Sequence, residues 1–164
     1  IDESTSIIES YDLEIEEKFG HTVQQAIQCE LWTWRETAEG RLAEIIVLDQ
    51  FSRNLFRDHP AAFAQDPLAL SLAQEAIRLG LDLSLSPEQR SFMYMPFMHS
   101  ESKIIHQQAL SLFEALANPV NLDFEKKHKV IIDRFGRYPH RNAILEREST
   151  LDEISFLQQP NSSF

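Results

Sequence analysis

The chemically most distinctive part of the sequence is a basic segment, residues 126–147, within a chain that is otherwise acidic. Its cations are Lys126, Lys127, Lys129, Arg134, Arg137, Arg141 and Arg147, and only Asp133 and Glu146 oppose them. Guanidinium groups bind phosphates and carboxylates through paired hydrogen bonds. Four side chains near the centre of the segment are therefore candidate ligands for a small anion: Arg134, Arg137, Arg141 and Asn142. The alternative is that these arginines stabilise the C-terminal end of a helix and pair with the protein's own acids.

A second candidate lies in a helix predicted over residues 39–56. Asp49 and Arg53 are four residues apart there, on a face that also carries apolar residues, and can pair with each other. A buried ion pair persists only when further hydrogen bonds complete it, and Gln50 and Arg57 supply donors nearby. The pair belongs either to a structural network or to a ligand site with Asp49 as an acid and the arginines as anion ligands.

Histidines supply the candidate groups for proton transfer. Glu101 could orient His99 as an acid or base if the backbone between them is not helical, because residues two apart on a helix point in different directions. The alternative is that Ser100 caps a helix and its neighbours are only polar. Within the basic segment, His140 is a further candidate for proton transfer and His128 a candidate for ligand binding.

Motifs for other chemistries are missing from the sequence. None of the six histidines is paired around a glutamate at metalloprotease spacing, and one cysteine cannot form a paired-cysteine site, so we predict no metal site. The four glycines are isolated, which excludes P-loop and dinucleotide fingerprints. Cys29 has no neighbouring charge that would activate it as a nucleophile. The sequence identifies no cofactor.

These groups must be positioned by helices. Apolar residues at every fourth position predict a first helix whose buried side consists of Ile7, Tyr11, Ile15, Phe19 and Val23. Cap and breaker residues predict the remaining helices. The second helix covers residues 39–56, the third begins at Asp66-Pro67 and ends at Gly80, and the fourth begins at a capping box at Ser86–Gln89 and is interrupted at Pro96. The last three cover about 98–117, the stretch from an Asn121 cap to Gly136, and Thr150 to Leu157.

No run of residues alternates as a strand would, so the chain is predicted to be all-α. The spacing of the helix starts favours antiparallel helix pairs joined by short loops. Such pairs form either a bundle or a helical-repeat superhelix, and no clean internal repeat distinguishes the two.

Composition narrows the class of protein. The 164 residues suit a single helical domain over 1–164, and because Ile1 is not methionine we expect further residues upstream. A net charge of −11 opposes binding to nucleic acid and to anionic membranes. The apolar runs are far shorter than the ~18 residues of a membrane span, the first helix is too acidic for a targeting signal, and a lone cysteine is typical of a reducing compartment. We therefore expect a soluble cytoplasmic protein.

Several longer motifs are specific enough to suggest a family. They are Tyr11-Asp12, the stretch from Leu48 to Asn54, the stretch from Tyr94 to Glu101, His128, the stretch from Arg134 to Asn142, Glu148 to Thr150, and Gln159 to Phe164. In these motifs the chain resembles an uncharacterised bacterial family called domain of unknown function nine-twenty-four. The resemblance implies a right-handed superhelix of antiparallel helix pairs, similar to tetratricopeptide repeats, and implies no activity.

Three positions depart from the pattern of that family. Ser52 stands where proline is usual, Tyr138 where phenylalanine is usual, and Glu146 where glycine is usual. The first two are mild changes, whereas Glu146 adds an acid to the basic segment.

Two hypotheses for function follow. In the first, a pocket brings arginines to a small phosphate- or carboxylate-bearing molecule, with His99 or His140 transferring protons and Asp49 and Glu101 orienting them; its cationic ligands are Arg53, Arg57, Arg137 and Arg141. In the second, the protein is an interaction module whose groove receives a partner helix or an acidic peptide. The mixture of charged residues and histidines favours the pocket, since a peptide groove would use more aromatic and aliphatic anchors.

Overall fold

The computed structural model describes residues 3–164, with side chains from residue 8 onward. In this range every regular element is helical, which confirms the prediction of an all-α chain. The α-helices are α1 (Glu3–Ile27), α2 (Ala38–Ile46), α3 (Ser52–Leu55), α4 (Asp66–Arg78), α5 (Pro87–Met98), α6 (Lys103–Leu116), α7 (Pro119–Phe135) and α8 (Leu151–Leu157). No helix within residues 3–164 combines the length and the apolar character needed to cross a membrane.

The chain divides into two compact units, Ile1–Pro96 and Phe97–Phe164. The boundary falls inside α5, which continues through Pro96, so the predicted interruption at that proline is wrong. Proline lacks the N–H that would bond the carbonyl four residues earlier, and its ring crowds that carbonyl; α5 nevertheless continues for two residues beyond Pro96. The single domain and the superhelix similar to tetratricopeptide repeats stay predictions.

In the first unit, α1 packs against α3 and α2 packs against α4. The core at their centre consists of Val23, Ala26, Leu31, Val47, Leu48 and Ala69. The predicted apolar side of α1 is buried only toward its C-terminal end, since Val23 is fully buried whereas Tyr11 is 61% exposed. Ile7, also predicted on this side, lies outside the residues whose side chains are described.

The helix predicted over residues 39–56 is a succession of α2, a π-helical segment at Val47–Phe51, and α3. Thr37 caps its start by accepting a hydrogen bond from Gly40 N at 3.0 Å. Gly40 is required at that position because a Cβ would lie 1.9 Å from the carbonyl oxygen of Trp34. The π segment was not predicted; it contains Asp49, and single π turns of this kind are frequent at functional sites.

In the second unit, α6 packs against α7, and only Ala117 and Asn118 connect them. Asn118 caps α7 through its side-chain oxygen, with Pro119 as the first helical residue. The predicted start at Asn121 is therefore wrong, because an asparagine followed by proline is the stronger start signal. Gly136 ends α7 with a φ of 72°, as predicted.

The predicted capping box of α8 is confirmed. Thr150 accepts a hydrogen bond from Glu153 N, and Glu153 accepts one from Thr150 N. This helix packs on α7 through Phe156, which contacts the core formed by Ile131, Ile132 and Tyr138. The capping box thus fixes the start of the element that covers this core.

Candidate functional site

The predicted site residues are distributed over both units. Asp49, Arg53 and Arg57 belong to the first unit. The others belong to the second unit; they are His99, Glu101, His128, Arg134, Arg137, His140, Arg141 and Asn142.

In the first unit, the predicted pair of Asp49 and Arg53 is present. Arg53 Nη1 lies 3.3 Å from Asp49 Oδ1 and donates a hydrogen bond to the carbonyl oxygen of Asp49 at 2.6 Å. The same guanidinium binds Asp66 through two hydrogen bonds, of 2.9 and 3.0 Å. Asp49 is only 1% exposed, so Arg53 compensates a buried carboxylate. Asp66 was expected to cap α4 and instead completes this ion-pair network.

Arg57 also has a carboxylate partner. Its Nε and Nη2 donate hydrogen bonds to Asp12 at 2.6 and 2.9 Å, and Asn54 donates a third at 2.8 Å. The hydrogen bond from Arg57 holds the pKa of Asp12 below its ordinary value, although burial opposes this shift. The guanidinium of Arg57 therefore ties α3 to α1.

In the second unit, Arg137 and Arg134 both bind α8. Arg137 donates hydrogen bonds of 2.7 and 2.8 Å to the two carboxylate oxygens of Glu153, and one of 2.8 Å to the carbonyl of Glu148. The hydrogen bond from Arg137 is the main reason that the pKa of Glu153 falls to about 2. Arg134 pairs with Asp152 at 2.6 Å. For these two arginines the structural alternative considered above is the one that the geometry supports.

Glu101 fixes the loop that follows α7. It accepts two hydrogen bonds from Arg147, at 2.7 and 2.9 Å, and one from Tyr138 N at 2.7 Å. Burial would raise the pKa of Glu101, but the hydrogen bonds from Arg147 and Tyr138 outweigh it and hold the pKa below its ordinary value. Asn142 belongs to the same loop, since its side chain binds Ser149 Oγ and Arg147 Nε, each at 3.0 Å.

The remaining predicted residues gather around the ring of Tyr138, which is 1% exposed. The guanidinium carbon of Arg141 lies 4.6 Å from the ring centroid. The His140 and His128 rings lie 5.5 and 5.7 Å from it. Arg141 Nη2 also donates a hydrogen bond to the carbonyl oxygen of His99 at 3.1 Å. We call these five residues the Tyr138 cluster: His99, His128, Tyr138, His140 and Arg141.

His128 is the buried member of this cluster with the clearest protonation state. Burial lowers its pKa to about 3; the hydrogen bond from its Nδ1 to the carbonyl oxygen of Phe124, at 2.7 Å, opposes the shift, and the neighbouring histidines add to it. Its ring stacks on Phe164 with the centroids 3.9 Å apart. His128 is therefore neutral near pH 7 and enters any anion site as an uncharged ring.

A buried pair beside the cluster was missed by the sequence reasoning. His106 Nδ1 lies 2.8 Å from Glu125 Oε1, and His106 Nε2 lies 2.8 Å from the carbonyl oxygen of Ser100 and 3.1 Å from Tyr138 Oη. Both residues of the pair are fully buried, and Glu125 Oε2 has no hydrogen-bond partner among the described residues. Burial raises the pKa of Glu125.

The hydrogen bonds around His106 fix where its protons lie. Since a carbonyl only accepts, the Nε2–H must point to Ser100, and Nδ1 then shares one proton with Glu125. A sequence signal for this pair did exist: His106 lies on the face of α6 that also carries Ala109 and Phe113, both fully buried. A histidine at such a position requires a buried partner. Within the described residues, no three metal-ligating side chains come together in a way that could hold a metal ion.

Comparisons with known proteins agree with this picture of the fold. The family model described as "Bacterial protein of unknown function (DUF924)" matches residues 6–161. The solved structure of a protein of unknown function from Agrobacterium tumefaciens is 41% identical to the chain, with a TM-score of 0.87. That match covers 92% of this chain and 85% of the other. No curated protein matches the chain.

Proposed function

Since this chain belongs to the bacterial DUF924 family, whose description names no activity, we propose a function from its own side chains: the Tyr138 cluster binds a small anion that bears a phosphate or carboxylate group. Arg141 is the principal ligand in this proposal, and His99 and His140 are the groups that donate or accept protons. The observation that carries it is the position of the Arg141 guanidinium over the Tyr138 ring, beside two of the predicted histidines.

The pairing of the other arginines supports this choice of ligand. Arg134 and Arg137 bind the carboxylates of Asp152 and Glu153, and each of these ion pairs fastens α8. Their cationic groups already serve the fold. Arg141 is 6% exposed; its guanidinium lies over the Tyr138 ring and donates a hydrogen bond to the carbonyl oxygen of His99, contacts that fix its orientation within the cluster.

Recognition of an anion by the cluster depends on Arg141. Lys129, Arg134 and Arg147 lie in the same basic segment but pair with Asp133, Asp152 and Glu101, so they add little net charge beside the cluster. The neutral His128 adds an apolar, aromatic wall. Acid–base chemistry by His99 or His140 is compatible with these residue types and forms the second part of the proposal.

The test is a thermal-shift and calorimetric titration with inorganic phosphate and with succinate. A ligand that binds only the folded state must raise the melting temperature. We expect phosphate or succinate to raise the Tm of the wild type and of Arg134→Lys, a matched control that keeps its charge on an exposed ion pair. Arg141→Lys retains the positive charge but loses the planar guanidinium that can donate two parallel hydrogen bonds. We expect the affinity of this variant for phosphate or succinate to be at least ~10-fold lower than that of the wild type.

Because Arg141→Lys could also perturb folding, His140→Gln provides a second variant in the same cluster. Weakened binding in both variants, with the folded state retained by circular dichroism, would support the proposal. The proposal fails if neither anion shifts the wild type, or if Arg141→Lys binds as tightly as Arg134→Lys. In that case the Tyr138 cluster is a hydrogen-bonded core of the second unit.

A further inference from the structure

A separate cleft of about 400 Å³ lies in the first unit, between α1 and the end of α3. The side of α1 that lines it presents Glu9, Asp12, Leu13 and Glu16. The spacing of these four residues places them on one face of the helix. Across the cleft stand Asn54, Leu55 and Arg57. None of these residues belongs to the Tyr138 cluster, so the cleft is independent of the function proposed above.

The walls of the cleft combine apolar surface with negative charge. Leu13 is 60% exposed, and Leu55 lines the cleft from α3. Asp12 is neutralised by Arg57 and held by Asn54. Glu9 and Glu16 are exposed, and neither forms an ion pair within residues 8–164. An apolar floor is thus flanked by two uncompensated carboxylates.

The charge of this surface decides which class of partner fits it. Nucleic acids and anionic membranes are repelled by a chain of net charge −11, and a second copy would bring the same acidic face and the same net charge. The cleft is open to solvent, whereas small-molecule sites enclose most of their ligand. A longer ligand that carries positive charges and apolar groups on one face can contact both the apolar floor and the carboxylates of Glu9 and Glu16 at its rim.

We propose that the α1–α3 cleft is a docking site for a basic amphipathic helix of a partner protein. Glu9 and Glu16 are seven residues apart on α1, which is about 10 Å along the helix axis. A partner helix that places lysines or arginines at i and i+7 matches that separation. Leucine-like side chains at i+3 and i+4 of the partner then pack on Leu13 and Leu55.

The proposal is tested with a fluorescein-labelled 18-residue peptide of lysine and leucine arranged at this spacing. Its binding to the full chain is followed by fluorescence anisotropy at low salt. A scrambled peptide of the same composition, which cannot form an amphipathic helix, is the first control. Spermidine is added as a competitor to distinguish a peptide site from a site for small amines.

Two double variants separate the cleft from general electrostatics. The variant Glu9→Gln with Glu16→Gln removes both rim charges. The variant Glu30→Gln with Glu36→Gln removes two exposed charges of the same unit that lie outside the cleft. We expect the first to weaken binding ~3- to 10-fold and the second by less than ~2-fold. Leu13→Ser, which keeps every charge, should weaken binding to a similar extent as the first variant.

The proposal is overturned by any of four results. The amphipathic peptide does not bind, the scrambled peptide binds equally well, or the two double variants weaken binding equally. The fourth is that spermidine displaces the peptide when the two are present at equal concentrations of positive charge. Circular dichroism of each variant establishes that α1 is retained. Because the Tyr138 cluster is unaltered in all of them, their phosphate titrations should be those of the wild type.

Discussion

The guanidinium carbon of Arg141 lies 4.6 Å from the centroid of the Tyr138 ring. The ring is itself fixed at two points, because Tyr138 Oη donates a hydrogen bond to the carbonyl oxygen of Met98 at 2.5 Å and Tyr138 N donates one to Glu101 at 2.7 Å. A cation over a buried aromatic face is stabilised by up to ~2 kcal/mol. The ring and the carbonyl oxygen of His99 therefore both hold Arg141, and the hydroxyl of the tyrosine acts on it only through the ring.

The first prediction separates these two parts of Tyr138. Tyr138→Phe keeps the ring and removes the hydroxyl, so the free energy of unfolding should fall by about 1 kcal/mol because Met98 loses a donor. Phosphate affinity should change by less than ~2-fold. Urea denaturation and calorimetry measure the two quantities. Loss of phosphate binding in Tyr138→Phe would contradict the role assigned to the ring.

The second prediction compares two arginines of the first unit. Arg53→Met leaves the buried carboxylate of Asp49 without its cation and should cost about 3 kcal/mol of stability. Arg57→Met breaks a more exposed pair with Asp12 and should cost less than about 1 kcal/mol. Urea denaturation of both variants at neutral pH provides the comparison. Equal losses would mean that burial does not govern these pairs.

The third prediction concerns acid. The pKa of His128 is about 3 in the folded chain and about 6.5 when unfolded, so between these values the unfolded state binds one more proton. Stability due to this group is present above pH 6.5 and is lost as the pH falls toward 3, at up to ~1.4 kcal/mol per pH unit. His128→Gln should show a shallower loss of stability between pH 6 and 4. Parallel slopes in urea titrations over that range would refute this.

The fourth prediction has the opposite sign. The pKa of Glu125 is raised by burial, so its contribution to stability is present below the ordinary pKa of a glutamate and is lost as the pH rises through its folded value. Glu125→Gln cannot ionise and its amide can still donate to His106. Relative to the wild type, the variant should become more stable as the pH is raised from 4.5 to 8. Measurement of unfolding free energies at both pH values tests this, with Glu114→Gln, exposed on α6, as control.

The fifth prediction concerns Arg137, a candidate anion ligand in the sequence analysis. Because Arg137 binds Glu153 and Glu148, Arg137→Ala should release the start of α8 and lower the Tm by several degrees. Phosphate should still raise the Tm of the variant by the same increment as in the wild type. If the increment disappears while the fold persists, Arg137 is a ligand after all.

The helices could be predicted from sequence because their signals are local. Ser86 with Gln89 and Thr150 with Glu153 form the expected capping boxes, and Gly136 ends α7. The boundary at Asn118 was misplaced because two asparagines competed as caps. The π segment has no comparable local signal: it depends on packing that only the folded chain supplies.

The residues of the candidate site could be selected from the sequence by their type, but most of the side chains to which they hydrogen-bond could not be predicted. The pair of Asp49 and Arg53 followed from their spacing, since helix geometry alone brings them together. The partners of Arg137 and His106, in contrast, lie 16 and 19 residues away on other elements, where the fold decides which acid meets which base. Sequence patterns identified the cations; the acids that pair with Arg134, Arg137 and Arg147 were found only in three dimensions.

The π segment at Val47–Phe51 has a consequence for comparisons between relatives. A π turn accommodates one residue more than the α-helical turn it replaces. In a relative with a one-residue deletion here, α2 and α3 would join as an unbroken α-helix, and the residues beyond the deletion would keep their orientation. The equivalents of Arg53 and Arg57 would still face the equivalents of Asp66 and Asp12. An alignment gap at this position therefore marks the loss of the π turn, with both ion pairs retained.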